Sequence, residues 1–364
     1  MAISFAGWLT HWIIYFRFFL ANRANIKQLE NNTRKTFASE NAPQVLPSNI
    51  TSSPKLSVKR EVLESEQRWE IFHVKPKTGK EVKKVVVYWH GGALIRGVRV
   101  QFPLDLEDKL MLQTSPKHWD AVARVVNESH CPVVVPIYTL APLSTAREWN
   151  VVALDFILKL AKDPRYNDYE IVMMGDSAGG WMSMRMLQAM CEISCGDKSD
   201  RQGEVDEALM RMGTAIMISP FINSEPTDEL IEASKSVSPP PLCQGVADNQ
   251  DCWLSLNLFT FVSRLWVNGP AEYPNLLEAM PSDTKNRYTT LEKHPLYAGE
   301  VCLDHNIDIF KTYIKLHPEH GQFRFSTSIG TADMCHAPVL RMQKTFDAMD
   351  KKVIVSDTII VSSL

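Results

Sequence analysis

Short apolar runs alternate with longer amphipathic ones through the middle of the chain. "WEIFHV", "KKVVVYWH", "CPVVVPIY", "EIVMMGD" and "TAIMISP" are each only a few residues long and rich in β-branched side chains, the pattern of sheet strands. Between them stand helix-like stretches: "STAREWNVVALDFILKLAKD", whose Trp149, Val152, Phe156 and Leu160 share one face, and "GGWMSMRMLQAMCEIS". Alternation of this kind predicts an α/β protein, a mostly parallel central sheet with helices on both faces. The rhythm stops near Phe221 and resumes near Gly321. The stretch between them holds "SVSPPPLCQ", the aromatic "CWLSLNLFTFVSRLW" and the polar "PSDTKNRYTTLEKHPLY". It is neither repetitive nor wholly polar, and it predicts a lid folded over one edge of the sheet. "FRFSTSIGTADM", "APVLRMQKTFDAMD" and "KKVIV" then restore the alternation.

The start of the chain has a different pattern. Residues 3–21 are almost continuously apolar and aromatic, interrupted by His11 and Arg17, and are about as long as a bilayer-spanning helix. No basic stretch precedes them and no A-x-A site follows, so a cleaved signal peptide is not expected. Two readings stay open for residues 1–25: a membrane anchor, or a lid helix packed on its own protein. Residues 26–60, polar and dotted with Pro and Ser, read as a linker; 61–220 as the core; 221–320 as the lid insertion; and 321–364 as the C-terminal part of the core, apparently cut short. The corresponding locations are membrane-associated, the endoplasmic reticulum included, or cytoplasmic. Sequons at Asn31, Asn49 and Asn127 are usable only if the body faces a lumen, whereas the basic residues after the apolar run favour the cytosol.

Composition narrows the chemistry. With 39 basic and 42 acidic residues in 364 and a net charge of -3, the chain carries no electrostatic footprint for nucleic acid. Its seven cysteines are an odd number without C-x-x-C spacing, which fits neither a zinc ribbon nor a disulfide scaffold, so no metal or cofactor is called for. Cys191 and Cys195, one helical turn apart, read as small buried apolar residues. The expected partner is a small, mostly uncharged molecule; nothing in the sequence fixes the oligomeric state.

Two glycine motifs supply a mechanism. In "MMGDSAGGW", Ser177 lies inside a G-x-S-x-G frame that an apolar strand enters and an amphipathic helix leaves, the setting of a nucleophile elbow. The turn is sharp and the helix lies close to the strand, which demands the small Gly175, Ala178, Gly179 and Gly180. The turn also aims the backbone N–H of Ala178 at the point where a tetrahedral oxyanion forms. In "VVVYWHGGALIRG" a second strand ends at His90 and opens into Gly91, Gly92 and Ala93, where backbone N–H groups can turn toward developing negative charge. Each such donor is worth about 3 to 4 kcal/mol in a dry site. Both motifs leave apolar strands, so a parallel sheet puts them on one edge. His90 reads as a turn residue that shapes this loop.

"YWHGGA", "GDSAGGW" and "VVVPIYTLAP" together resemble the hormone-sensitive-lipase-like branch of the α/β-hydrolase fold, esterases whose oxyanion loop reads H-G-G-G or H-G-G-A and whose elbow reads G-D-S-A-G-G. The resemblance runs from about residue 70 to residue 355. The apolar start is similar to that of many fungal members, steryl acetyl hydrolases among them. It implies an α/β-hydrolase fold with a lid, Ser177 as nucleophile, Gly91, Gly92 and Ala178 as the oxyanion hole, His90 and Ala93 as the rest of that loop's motif, and Asp333 of "SIGTADM" as the acid. The implied activity is hydrolysis of a hydrophobic ester, such as an acetylated sterol or a fungal secondary metabolite. Leu143 stands where the family usually carries Glu.

One departure touches the chemistry directly. In this fold the base comes last, after the acid, and the family's histidine follows the acid by some thirty residues. Counting that far from Asp333 reaches "SDTIIVSSL", which has no histidine. His336 alone follows Asp333, three residues on; His294 and His305 fall in the lid range. An alternative is therefore a catalytically silent relative that binds a small apolar ligand.

Overall fold

A computed structural model describes residues 26–37, 46–64, 67–79, 82–92, 115–196, 200–221, 256–279, 306–330 and 336–361. Eight strands form one sheet: β1 (Leu56–Leu63), β2 (Trp69–Pro76), β3 (Lys84–Trp89), β4 (Val133–Ile137), β5 (Glu170–Asp176), β6 (Met212–Ile218), β7 (Phe323–Gly330) and β8 (Ile354–Val361). Their spatial order is β1-β2-β4-β3-β5-β6-β7-β8. Only β2 opposes the rest, pairing antiparallel with β1 and β4, while β4, β3, β5, β6, β7 and β8 run parallel. The C-terminal ends of these parallel strands share one edge, the edge that carries both glycine motifs.

Among the described residues the helices longer than four residues are α1 (Ile26–Phe37), α2 (Pro116–Ser129), α3 (Ala146–Ala161), α4 (Ala178–Cys195), α5 (Gln202–Leu209), α6 (Leu256–Asn268), α7 (Pro274–Ala279), α8 (Ile309–Leu316) and α9 (His336–Asp347). The start of α2 is set by a capping box, Ser115 with His118, and by Pro116 in its first turn. α3 starts at a second box, Thr145 with Glu148. On one face of the sheet, Trp119, Val122 and Val126 of α2 cover Phe72, Val74, Val86, Val133 and Val172. On the other, α3 and α4 bury Trp149, Phe156, Trp181 and Leu187 against Trp69, Val87, Trp89 and Met173. Strands covered on both faces read as unbroken apolar runs, which is why the sequence pattern found them.

Three expected boundaries move. The range read as a linker, 26–60, holds α1 and the start of β1. α1 escapes a simple hydropathy reading because, among its described side chains, it buries only Leu29, Glu30 and Thr33; its neighbours are α6 and α7 of the lid range. β1 escapes because it is an edge strand with Lys59, Arg60 and Glu61 in its middle. The layered core also resumes before residue 321, since α8 packs on α4. Residues 1–25, with the apolar segment 3–21, lie outside the described residues; among the described residues no helix is long and apolar enough to cross a membrane.

Candidate active site

Ser177 stands between the last residue of β5 and the first of α4, with φ 51° and ψ -116°. A positive φ is costly for a residue with a Cβ and persists only where the surroundings over-determine it. Here they do. The Ser177 N–H donates to the Ile218 carbonyl at 2.8 Å, and the Ser177 carbonyl accepts from the N–H groups of Gly180 (3.1 Å) and Phe221 (2.9 Å). The glycines fix how close strand and helix lie: a Cβ on Gly179 would stand 1.8 Å from the Trp89 carbonyl oxygen, and one on Gly175 would stand 2.2 Å from the Gly179 backbone. β3, β5 and α4 therefore meet backbone to backbone, which no other residue permits.

The 90–92 turn is tied to this elbow by one side chain. Asp176 Oδ1 accepts from the Gly91 N–H at 3.0 Å and from the Tyr88 hydroxyl at 2.5 Å, and His118 Nε2 faces Asp176 Oδ2 at 3.4 Å. His118 Nδ1 accepts the Ser115 N–H at 2.9 Å, so its proton sits on Nε2 and points at the carboxylate. Burial raises the Asp176 pKa, but the bonds from His118, Tyr88 and Gly91 outweigh it and hold the carboxyl below its ordinary value. The motif Asp and the α2 cap thus form one network; Tyr88 and His118 carried no sequence signal beyond the capping pattern S-x-x-H before an amphipathic run.

This network changes the reading of Gly91. Its N–H is committed to Asp176, so it is not a donor for an oxyanion, and its place against Asp176 leaves no room for a Cβ. Gly92, at φ 129°, and Ala178, the first residue of α4, are the expected donors whose N–H groups bond no acceptor among the described residues. His90 is fully buried and stacked on Tyr138, with its Nδ1 donating to the Gly91 carbonyl at 2.7 Å. Tyr138 in turn donates to the His90 carbonyl at 2.6 Å. Burial, reinforced by nearby His118, lowers the His90 pKa from 6.5 to about 4, so the ring is neutral and braces the turn. Ala93 and Asp333 lie outside the described residues, as do His294 and His305. His336 is the first residue of α9, which follows β7. Beyond β8 the sequence reads Ser362, Ser363 and Leu364.

The comparisons agree with this architecture. The sequence profile of a family described as alpha/beta hydrolase fold matches residues 86–249. No curated protein sequence matches the chain. Among solved structures, a Staphylococcus aureus protein assigned as an esterase is similar at TM-score 0.56 and 16% identity, covering 93% of this chain and 86% of that one. Carboxyl esterase 2 from the mycorrhizal fungus Tuber melanosporum is similar at TM-score 0.50 and 15% identity, covering 90% and 86%. A thermostable esterase from Pseudomonas putida is similar at TM-score 0.50 and 13% identity, covering 95% and 87%. Strand order, the strained serine turn and these likenesses together identify the architecture of this chain as the α/β-hydrolase fold.

Proposed function

We propose that the protein is a serine-dependent hydrolase of a small hydrophobic ester. Ser177 Oγ attacks the ester carbonyl as its proton passes to a histidine base oriented by Asp333, and the N–H groups of Ala178 and Gly92 hold the oxyanion. Collapse of the tetrahedral adduct expels the alcohol, which takes the proton back from the base; water then releases the acid from the acyl-serine. The observation that carries this reading is the strained backbone of Ser177 held by four hydrogen bonds beside two N–H donors that bond no acceptor among the described residues. Similar folds among solved structures include proteins described as esterases. An acetylated sterol or secondary metabolite is the substrate class to which the resemblance in sequence points.

The base is the open position. A histidine acts with its serine as a unit, and losing either costs about 10⁶ in turnover, leaving roughly 10³ to 10⁴ over water from the oxyanion hole and binding. The 364-residue chain is therefore expected to cleave a simple acetate ester no faster than its Ser177→Ala variant. The absence of histidine from residues 337–364 favours a second reading, a binder of small apolar molecules that performs no hydrolysis. Calorimetric binding of a non-hydrolysable ether analogue, measured beside the esterase assay, separates the two: the binder needs tight association and gains no rate when a histidine is supplied. Residues 3–21 are proposed to hold the protein on a membrane. Full-length protein that stays in the supernatant after high-speed fractionation would end that idea.

A further inference from the structure

The two oxygens of the Asp176 carboxylate hold different partners. Oδ1 accepts from the Gly91 N–H and the Tyr88 hydroxyl, both on β3 or its exit. The group that meets Oδ2 among the described residues is Nε2 of His118, at 3.4 Å, in the first turn of α2. The two side chains are part-buried, Asp176 at 26% and His118 at 17% exposure, which limits competition from water. The ring is fixed from its other side: Nδ1 accepts the Ser115 N–H at 2.9 Å, and the rings of His90 and Tyr88 lie 5.8 and 6.4 Å from it.

A capping histidine needs only Nδ1. Glu or Gln is the common partner at this position of a capping box, and in the second box of the chain Glu148 fills it. Histidine brings something more: with Nδ1 taken as an acceptor, Nε2 carries the proton and donates in a direction that the helix sets. That donor fixes which way the carboxylate turns. Gly91 is packed on the same carboxylate so closely that a Cβ would stand 2.2 Å from Oδ2, and Gly92 follows it at φ 129°. Turning the carboxylate therefore displaces the Gly91 peptide and re-aims the Gly92 N–H.

We propose that His118 is the positioning residue of the oxyanion turn: its Nε2–H pins the rotation of Asp176, and Asp176, through Gly91, aims the Gly92 N–H. The consequence for rate rests on the reading of Ser177 as nucleophile and Gly92 as donor; the mechanical tether does not. Both ring nitrogens are engaged, so His118 is not the base that Ser177 needs.

Two substitutions separate the cap from the tether. His118→Asn keeps an acceptor as many bonds from Cβ as Nδ1 but has nothing that reaches as far as Nε2; His118→Gln places an amide NH2 at the reach of Nε2 and is a usual capping-box partner. Amide hydrogen exchange of the full chain, read residue by residue by NMR, is the test. The Gly91 amide is expected to exchange about ten to a hundred times faster in His118→Asn, the effect of losing one hydrogen bond to a charged group, and to return close to the parent rate in His118→Gln. Val122 and Val126 should stay unchanged in both, showing that α2 still forms. In a version continued past Leu364 into a segment carrying a histidine, kcat on a simple acetate ester is expected to fall about tenfold to a hundredfold in His118→Asn, with KM little changed and recovery in His118→Gln; removing a donor outright would cost roughly 10² to 10³. Unchanged Gly91 exchange in His118→Asn, or equal changes in the two variants, overturns the proposal. Faster exchange in His118→Asn alone, beside a continued version without Ser177-dependent turnover, upholds the tether and counts instead against Ser177 as nucleophile.

Discussion

The exits of β3 and β5 and the exits of β7 and β8 lie on one edge of one sheet, yet they are built by different physics. At the first pair the main chain itself is locked. Gly91, Gly175 and Gly179 let backbone touch backbone or carboxylate, Asp176 gathers the Gly91 N–H, the Tyr88 hydroxyl and the His118 ring, and Ser177 keeps a positive φ inside four hydrogen bonds. At the second pair, Gly330 and Val361 close the register and Val361 is more than half exposed. The proposed nucleophile and oxyanion donors are positioned by backbone contacts that flanking glycines make possible, whereas an acid and a base are side chains delivered by whatever follows a strand. The first kind of site cannot vary without losing the fold; the second can.

That contrast can be broken most severely at Gly179. Gly179→Ala drives a Cβ into the Trp89 carbonyl, and since backbone cannot yield locally, the loss should exceed about 4 kcal/mol and appear as insoluble or non-cooperatively unfolding protein. Gly203→Ala in α5, where a Cβ meets nothing within 4 Å, is the matched control and should raise stability by about 0.5 kcal/mol. Next in size, Asp176→Ala strands three donors at once and should cost about 2 to 3 kcal/mol in urea unfolding, with Tyr88→Phe costing about 1 kcal/mol. Equal effects of Asp176→Ala and Tyr88→Phe would mean that the carboxylate does not tie the oxyanion turn to the elbow.

The legibility of these parts in sequence follows from the same difference. Ser177 stood out through the close-packed glycines around it, Gly91 through its approach to Asp176 and Gly92 through a φ of 129° that favours glycine, and the doubly covered strands β3, β4 and β5 stood out because both faces are apolar. Gly91's real role did not, since a motif shows that a backbone must pass close to something but not which acceptor its N–H will meet. α1 and the start of β1 were read as a linker because the described side chains of the one bury little apolar surface and the other is a charged edge. His118 was invisible as a site residue because its contact with Asp176 spans two elements far apart in sequence.

A further expected effect concerns pH. His73 and His90 are both buried, and burial lowers each pKa from 6.5 to about 4. In the unfolded chain both take up protons below pH 6.5, while in the fold they stay neutral. Their contribution is therefore full above pH 6.5 and is lost as pH falls toward 4. Melting temperature should decline across that window, and His73→Phe, which leaves the oxyanion turn alone, should flatten the slope without moving the pH 8 activity of any active form. A melting temperature constant from pH 7 to 4.5 would rule out neutral buried histidines.

The central claim is the proposal that Ser177 is a nucleophile that needs a histidine base. Three proteins assayed side by side on a simple acetate ester test it most directly: the 364-residue chain, a version continued past Leu364 into a segment carrying a histidine, and that version with Ser177→Ala. The account predicts turnover several orders of magnitude higher in the second than in either of the others, with an active-serine phosphonate found on Ser177 by mass spectrometry. Equal turnover in the second and third proteins, or a phosphonate adduct on another residue, would contradict it.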